Sequence, residues 1–335
     1  MRSDPEPLVV VTDRGLYCPP GDFYIDPWRA VQTAVITHAH ADHLRHGSAR
    51  YILARPGTHI ARLRLGRDHR WVTAVDYGAV FPIGETCVSL HPAGHILGSA
   101  QVRIEHRGRV WVVSGDYKRQ PDPTCAPFEP LAADVFVSEA TFAQPVYRWP
   151  SIGQVIGDIL SWWRGNRDRG RASVLFCYAL GKAQRVLAEL KPFVDEPIYV
   201  HDTVGKLARC YEQSGVSLPP YRPATSLRPG DYRGALVIAP PGAAGTPWMR
   251  RFGDCSTGMC SGWALTMNGR GPRTDRGFVL SDHADWPALV ETCTETGAGR
   301  VLLTHGFADD LAAHLRELGV EADVLAGPSG RSVKG

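Results

Sequence analysis

The chain has 335 residues, of which 44% are hydrophobic and 21% are charged, and its formal net charge is +3. This length allows one large domain or two of ordinary size, and the composition is that of a soluble globular protein. No run of about 18 apolar residues occurs, and the apolar run near the first residue is too short for a signal peptide, so we expect no membrane segment.

The cysteines and the charge say less about function. The eight cysteines are scattered and form no CxxC pair, which predicts free thiols and a reducing, cytoplasmic location. Almost all basic residues are arginine, which suits phosphate binding but equally fits a genome rich in arginine codons. A nearly neutral chain can still carry a basic cleft, so the charge leaves the partner open.

The first part of the chain is predicted to consist of short strands that glycine and proline punctuate at close spacing. The predicted strands are 23–25, 34–37, 86–90, 101–105, 110–114 and 135–138.

From about residue 150 the pattern changes to alternating helices and strands, which is typical of a parallel sheet covered by helices. Ser151 is the predicted N-cap of the first helix. We predict helices at 151–164, 181–190 and 203–214, strands at 172–177, 197–200 and 235–239, and loops throughout 240–276. The same rhythm then returns, with strands at 277–280, 301–303 and 322–325 and helices at 286–295 and 309–318.

A cluster of metal-ligand residues follows the predicted strand 34–37. In extended chain, positions two apart face the same way, so His38 and His40 can reach one ion. Asp42 and His43 are adjacent, as at the first turn of a helix, and can address a second ion beside the first. Imidazole and carboxylate are ligands that zinc and manganese accept, so the run predicts a metal centre.

Four residues cannot complete two metal shells, so further ligands must come from elsewhere in the chain. The candidates follow apolar strands or abut glycines, which allow close backbone approach. They are His95 in GHILGS, Asp116 in SGDYK and His305 in LTHG. With the first cluster they supply enough ligands for two ions that share one carboxylate.

In chain order, the motifs HxHxDH, GHxxGS, SGDY and a late THG resemble the metallo-β-lactamase superfamily. The resemblance covers essentially the whole chain and implies an α/β fold, an αββα sandwich. Asp26, in YIDP, resembles the family's first acidic position, which supports the ligands from behind. The resemblance further implies two ligand sets that share a bridging Asp116: His38, His40 and His95 for one ion, and Asp42, His43 and His305 for the other.

The α/β segment at 146–276 resembles the insert of the β-CASP nuclease branch, which divides the metallo-β-lactamase domain into 1–145 and 277–335. Glu139, in SEAT, resembles that branch's acidic position after a strand, and the loop 256–262 resembles its Ser/Gly-Met loop near the scissile phosphate. His283, in SDHAD, resembles the late histidine that contacts the phosphate.

The chemistry that this resemblance implies is phosphodiester hydrolysis with two divalent ions, zinc first and manganese as the alternative. Asp116, Glu139 and His283 are the predicted catalytic residues, and His283 would stabilise or protonate the leaving oxygen. The residues predicted to bind substrate are Ser256, Gly258, Ser261 and Lys118.

Within the branch, ITHAHADH, GDFYIDPW, APP and LSDHADWP resemble the bacterial ligase-associated DNA-damage-response exonucleases. This implies a DNA exonuclease in DNA repair that works beside an ATP-dependent DNA ligase and a helicase. In the branch, histidine at the last motif accompanies RNA-cutting members and valine DNA-cutting members, so His305 keeps an RNA-processing exo- or endoribonuclease open. A small-molecule thioester or lactam hydrolase shares the fold but would not need the insert, and a non-catalytic scaffold would lose ligands.

Overall fold

The computed structural model describes residues 6–267 and 274–325. The strands in these ranges are β1 (Val10–Thr12), β2 (Gly15–Cys18), β3 (Phe23–Ile25), β4 (Thr33–Val35), β5 (Arg50–Ala54), β6 (Val72–Val75), β7 (Phe81–Ile83), β8 (Thr86–Pro92), β9 (Ala100–His106), β10 (Arg109–Val113), β11 (Val135–Glu139), β12 (Ala172–Phe176), β13 (Ile198–Val200), β14 (Tyr221–Pro223), β15 (Leu236–Ala239), β16 (Cys255–Cys260), β17 (Arg276–Phe278), β18 (Arg300–Thr304) and β19 (Glu321–Val324). The α-helices are α1 (Thr58–Leu65), α2 (Ile152–Asp168), α3 (Lys182–Leu190), α4 (Asp202–Gln213), α5 (Trp286–Glu295) and α6 (Ala308–Glu317).

The chain divides into two compact units. Unit 1 comprises Met1–Val146 and His283–Gly335, and unit 2 comprises Tyr147–Asp282. The chain therefore returns to unit 1 later than residue 277, where the sequence placed the return. The reason is that β17 pairs in parallel with β16 and so completes the sheet of unit 2.

Unit 1 is a sandwich of two sheets. One sheet has the order β1-β2-β3-β4-β5-β6 and the other the order β19-β18-β11-β10-β9-β8-β7. Alternating apolar residues of both sheets meet in one buried core, to which Phe23 and Ile52 contribute from the first sheet and Leu90 and Val102 from the second. Period-two alternation turns these side chains to one face of each sheet and their neighbours in the chain to the other.

Helices α5 and α6 cover the second face of the larger sheet. Leu289 of α5 and Leu311 of α6 pack with Phe136 and Leu303 of that sheet in a separate buried cluster. On the smaller sheet, α1 contacts β6. Unit 1 thus has helices outside a two-sheet core, as the resemblance implies.

Unit 2 is built on a fully parallel sheet with the order β14-β13-β15-β12-β16-β17. Both of its faces are buried: helices α2, α3 and α4 cover one face, and a cluster that includes Tyr232 and Phe252 covers the other. Ser151 caps α2 as predicted, since its side chain accepts a hydrogen bond from the backbone N–H of Gln154.

The prediction of loops throughout 240–276 is wrong for β16, which lies between β12 and β17. β16 is an interior strand, but its small and polar residues lack the apolar pattern from which a buried strand is predicted. Gly258 sits where an added Cβ would lie 2.9 Å from the Phe278 ring and 3.2 Å from Leu175, so close packing rather than a turn requires this glycine. Residues 268–273 of that predicted loop lie outside the described residues.

The strand predicted at 34–37 is shorter in the structure, where β4 ends at Val35. The metal-ligand run that follows is therefore a loop closed by a turn, in which the N–H groups of His43 and Leu44 bond to the carbonyl of His40. The early strands β1, β2, β5, β6 and β7 and helix α1 were not predicted. Among the described residues, no helix is long and apolar enough to cross a membrane.

Gly306, between β18 and α6, provides a test of this packing. Its φ is +55°, and an added Cβ would lie 2.2 Å from the carbonyl oxygen of Ala140. Gly319 also has positive φ, +84°, but its Cβ would meet nothing within 4 Å. We expect Gly319→Ala to cost about 1 kcal/mol of stability and Gly306→Ala at least about 3 kcal/mol.

The measurement is urea unfolding of both variants, followed by tryptophan fluorescence. The positive φ is common to both positions, so the difference between the two midpoints reports the backbone contact alone. Equal midpoints would show that Gly306 is not held against Ala140.

Candidate metal centre

The predicted ligands lie at the ends of neighbouring strands in unit 1. Strands β10, β11 and β18 are parallel neighbours, and Asp116, Glu139 and His305 lie at or just beyond their carboxyl ends. Carboxyl ends of parallel strands share one edge of the sheet, where sites are usually assembled. The loop after β4 supplies the histidine-rich run, and the β8–β9 connection supplies His95.

Four ligand atoms converge on one point. The Nδ1 atom of His40 lies 3.0 Å from His38 Nε2 and 3.1 Å from His95 Nε2. Asp116 Oδ2 is 3.5 Å from His38 Nε2 and 3.8 Å from His95 Nε2. Ligands bound to zinc at 2.0–2.1 Å in a tetrahedron are about 3.3 Å apart, so these residues fit a metal ion.

A second group of donors borders the same carboxylate. The Nε2 atom of His43 lies 3.5 Å from Asp116 Oδ2 and 3.6 Å from Asp42 Oδ2. His305 lines, with these three residues, a cavity of about 160 Å³. Asp116 therefore stands between two donor groups, an arrangement in which one carboxylate can serve two ions.

Asp26 and Thr37 hold the histidines in place. Asp26 accepts hydrogen bonds from the Thr37 N–H at 2.8 Å, from the Thr37 hydroxyl, and from His43 Nδ1 at 2.7 Å. The same hydroxyl lies 3.1 Å from His38 Nδ1. Because Nδ1 of His38 and Nδ1 of His43 each have a partner, Nε2 of each ring is directed towards the centre. Asp26 and Thr37 thus orient these two rings.

The backbone at this support is held in rare conformations. Asp26, which precedes Pro27, has φ of +44°, and His305 has φ of +63°. Non-glycine residues in this region persist where the surroundings impose it, and such residues cluster at functional sites. Gly115, at φ +58°, packs so closely on Thr37 that an added Cβ would lie 2.6 Å from the threonine Cβ.

The charges of these groups depend on one another. Burial lowers the pKa of His38 well below its ordinary value, and the charge of His43 adds to this effect. Burial also opposes the charged forms of His43 and Asp116, but their mutual attraction, with Asp26, raises the pKa of His43 and lowers the pKa of Asp116. Without a metal, His43 is therefore a cation between two carboxylates, and a metal ion bound at its Nε2 would replace that proton.

Glu139 and His283 form a hydrogen-bonded pair beside this centre. The Nδ1 atom of His283 lies 2.8 Å from Glu139 Oε2 and 3.0 Å from Oε1. The buried carboxylate also accepts bonds from the Tyr117 N–H at 2.7 Å and from the Thr141 hydroxyl. Donor atoms of Asp116, Glu139 and His283 lie within 4.8 Å of one another, so the pair borders the shared carboxylate.

The residues predicted to bind substrate lie in less open positions. Lys118 is buried, and its ammonium is 2.6 Å from Asp122 Oδ2, so it is not presented to a phosphate at the surface. Ser256 is buried in unit 2, where its hydroxyl accepts a bond from Trp162 Nε1 at 3.0 Å. Gly258 is enclosed in the same sheet, and the Ser261 hydroxyl accepts a bond from the Trp263 N–H.

Several contributing residues were not identified from the sequence. Thr37 orients two ligands, and the only signal for it is its place directly before His38. Arg45 lines the cavity without belonging to any motif, and Trp28, the last residue of GDFYIDPW, lines it without having been assigned a role. The role of Tyr117 depends on its backbone N–H, which no side-chain pattern reveals.

Comparisons with known proteins find relatives of which this chain covers only a part. No family model matches the chain. Over 94% of its length it is 35% identical to a protein of Opitutus terrae described as a probable DNA ligase, of which it covers 31%. Over 36% of its length it is 28% identical to the endoribonuclease YSH1 of Saccharomyces cerevisiae and 29% identical to endoribonuclease ysh-1 of Neurospora crassa, of which it covers 16% and 14%. The chain thus spans less than a third of each of these relatives.

A solved structure shares the fold. It is a protein of unknown function from Enterococcus faecalis V583, which superposes with a TM-score of 0.64 at 12% identity over 90% of this chain and 80% of that one. The similarity to the YSH1 endoribonucleases supports the relationship to the metallo-β-lactamase and β-CASP proteins that the motifs imply.

The shared carboxylate yields a prediction about metal content. We expect the wild-type chain, loaded with zinc and desalted, to retain about two ions. His38→Ala should lose about one ion, because it removes a donor of one group, and Asp116→Ala should retain the fewest, because it removes the carboxylate common to both groups. Elemental analysis of the desalted proteins measures this.

His46→Ala is the matched control, since this histidine follows the cluster closely but is 65% exposed and pairs with Asp68. It should bind as much zinc as the wild type. Unchanged zinc content in Asp116→Ala would contradict the assignment of a shared ligand.

Proposed function

We propose that this chain is a metal-dependent nuclease, a DNA exonuclease that acts in DNA repair. The observation that carries the proposal is the position of Asp116: its Oδ2 lies within 3.8 Å of three imidazole nitrogens. The Glu139–His283 pair borders the same carboxylate. Metal-assisted hydrolysis of a phosphodiester can use both features, a place for divalent cations and a proton donor beside it.

Zinc is the proposed metal, and manganese is the alternative. The donor set of imidazoles and carboxylates suits either ion. One ion would be held by His38, His40, His95 and Asp116, and the second by Asp42, His43, His305 and Asp116. When bound, the ions would acidify water and offset the negative charge of the phosphate.

The chain's own contribution to bond cleavage is assigned to His283. Glu139 accepts the hydrogen bond from Nδ1 of this ring and so favours a proton there and stabilises the charged imidazolium. The Tyr117 N–H and the Thr141 hydroxyl fix the carboxylate in turn. His283 can then give a proton to the leaving oxygen, which lowers the barrier to its departure.

The preference for DNA rests on the relative that matches the chain almost throughout. That relative is described as a probable DNA ligase, and the match takes up 31% of it. A nuclease segment joined to a ligase would trim ends before sealing them. This supports DNA as the substrate and a functional association with a DNA ligase. That the ligase is ATP-dependent and that a helicase takes part rest on the motif resemblance alone.

A second candidate is an RNA-processing exo- or endoribonuclease. Two observations favour it. The chain is similar over 36% of its length to proteins named endoribonuclease YSH1, and it has a histidine, His305, in the cavity beside Asp116. This candidate uses the same metal ligands and the same Glu139–His283 pair.

The test is a cleavage assay with 5′- and 3′-labelled single-stranded DNA, duplex DNA and RNA, run with zinc and with manganese. A DNA exonuclease should release mononucleotides or short products from one labelled end of DNA and leave RNA largely intact. Internal RNA cuts would favour the ribonuclease. No cleavage of any substrate with either metal would contradict nuclease function.

His283→Ala should separate a proton donor from a metal ligand. We expect kcat on DNA to fall by about 10²- to 10⁴-fold with zinc content unchanged. On bis(p-nitrophenyl) phosphate the loss should be much smaller, because p-nitrophenolate leaves without a proton. His106→Ala, which removes a ring bonded to the carbonyl of Glu85, is the control and should behave as the wild type.

Steady-state kinetics on both substrates, with elemental analysis, give the answer. A parallel loss of zinc in His283→Ala would show that the residue is a ligand, and equal losses on both substrates would contradict protonation of the leaving group.

A further inference from the structure

The segment from α1 to the start of β6 is the most basic exposed part of unit 1 that the motifs leave unexplained. Residues 58–71 contain four arginines and one aspartate. Their net charge of +3, with histidines neutral, equals that of the whole chain. Helix α1 buries Ile60 and Leu65 and exposes Arg62, and the turn that follows, Gly66–Trp71, buries none of its residues.

These arginines are not neutralised. Among the residues that the structure describes, Arg62, Arg64, Arg67 and Arg70 make no ion pair, whereas nearby Arg55 pairs with Asp76. Unpaired guanidinium groups on one short segment produce a positive potential that attracts anions. A polyanionic ligand would offset the electrostatic repulsion between these guanidinium groups.

An exposed aromatic ring belongs to the same segment as these arginines. Trp71 is 48% exposed, and the Arg70 guanidinium stands 5.1 Å from the centre of its ring. An indole this exposed gains little from the core of its own domain. Rings combined with guanidinium groups are the usual platform on which unpaired nucleobases stack.

The segment is next to the metal centre, and both belong to unit 1. Burial lowers the pKa of the Arg64 guanidinium, and the carboxylate of Asp42 partly offsets this effect. Arg64 Nε has no hydrogen-bond partner among the described residues, although it is buried. His46, just past the ligand run, reaches back to Asp68 at 3.5 Å, which ties the two segments together.

A further cation lies beside the metal centre. Arg45 lines the cavity that contains Asp42 and His305, and its Nε donates to the Asp42 carbonyl at 3.2 Å. Arg45 thus borders the cavity, while Arg64, Arg67 and Arg70 belong to the segment that the His46–Asp68 pair joins to the ligand run.

We propose that Arg45, Arg64, Arg67, Arg70 and Trp71 form a binding track for a single nucleic acid strand, with phosphates on the guanidinium groups and a base stacked on Trp71. The inference rests on the proposed function, which it deepens by stating where the strand lies outside the metal centre. A nucleic acid strand matches both parts of the segment, because its phosphates pair with the guanidinium groups and an unpaired base offers a flat face to the exposed indole.

The test is fluorescence anisotropy with labelled single-stranded and duplex oligonucleotides, in EDTA so that nothing is cut, at several salt concentrations between about 50 and 200 mM. Arg67→Ala with Arg70→Ala should lower the slope of log affinity against log salt by about 1.4, since each phosphate contact on a single strand contributes about 0.7. Trp71→Ala should weaken single-strand binding about tenfold or more, and Trp71→Phe should retain most of it.

Duplex binding should change much less in Trp71→Ala, because its bases are already stacked. Arg107→Ala is the control: Arg107 is 80% exposed on the turn between β9 and β10, and its removal should leave binding and slope as in the wild type. Circular dichroism of each variant checks that it is folded. We expect every variant to fold, because the substituted side chains are exposed.

Unchanged single-strand affinity in both the arginine and the tryptophan variants would overturn the inference, as would equal losses for Arg107→Ala. Hydrolysis of bis(p-nitrophenyl) phosphate by the zinc-loaded wild type tests the metal centre independently, because this small ester has no chain of nucleotides that could occupy the track. Hydrolysis of that ester with unaltered strand binding would thus overturn the track and leave the proposed function standing. Strand binding that depends on the track, without hydrolysis of any phosphodiester, would overturn the proposed function and leave the track standing.

Discussion

The parallel register of β10, β11 and β18 is the constraint on which the rest of unit 1 depends. Val113 lies beside Val137, and Glu139 beside Thr304, so backbone hydrogen bonds bring Asp116, Glu139 and His305 to one edge. Side chains alternate between faces, and a slip of one residue would turn Glu139 away from His283. The alternating apolar residues that fill the core between the two sheets prevent that slip, and hydrophobic burial thereby positions charged groups that could not come together unaided.

Those charged groups stabilise each other only as a set. Burial disfavours charge in the centre, yet the pKa of His43 is raised and that of Asp116 is lowered, because the two groups face each other and His43 also faces Asp26. Burial drives the imidazoles of His38 and His305 towards the neutral form, in which a ring nitrogen has a lone pair to offer. In the metal-free chain these two rings are therefore in the form that binds a cation, whereas His43 must first lose its proton.

How much of this could be predicted from the sequence depends on whether neighbours in space are neighbours in the chain. The run from His38 to His43 is contiguous, so its chemistry could be read directly. His95, Asp116 and His305 were candidates because each follows a strand or abuts glycines, and the resemblance was needed to divide the ligands between two ions. Lys118 was assigned to phosphate because it is a cation near a motif, but Asp122, four residues on, takes it into the interior. Strand β16 was interpreted as a loop because its small residues fit a packed sheet only when Trp162 and Phe278 lie above them. Local sequence patterns do not show which residues become buried or which partners, far away in the sequence, they pair with.

The discontinuity of unit 1 has a consequence for how the chain acquires its shape during synthesis. Strand β11 emerges from the ribosome with β10 beside it, but its other neighbour, β18, follows only after all of unit 2 has been made. Until then an apolar edge, Val135 to Glu139, offers its peptide groups to any passing strand. Unit 2, whose parallel sheet is continuous in sequence, can fold in that interval, and its early closure would bring the two halves of unit 1 within reach of each other. The metal site is therefore among the last features to form, because a nascent chain cannot have its full set of predicted ligands before β18 and His305 are translated.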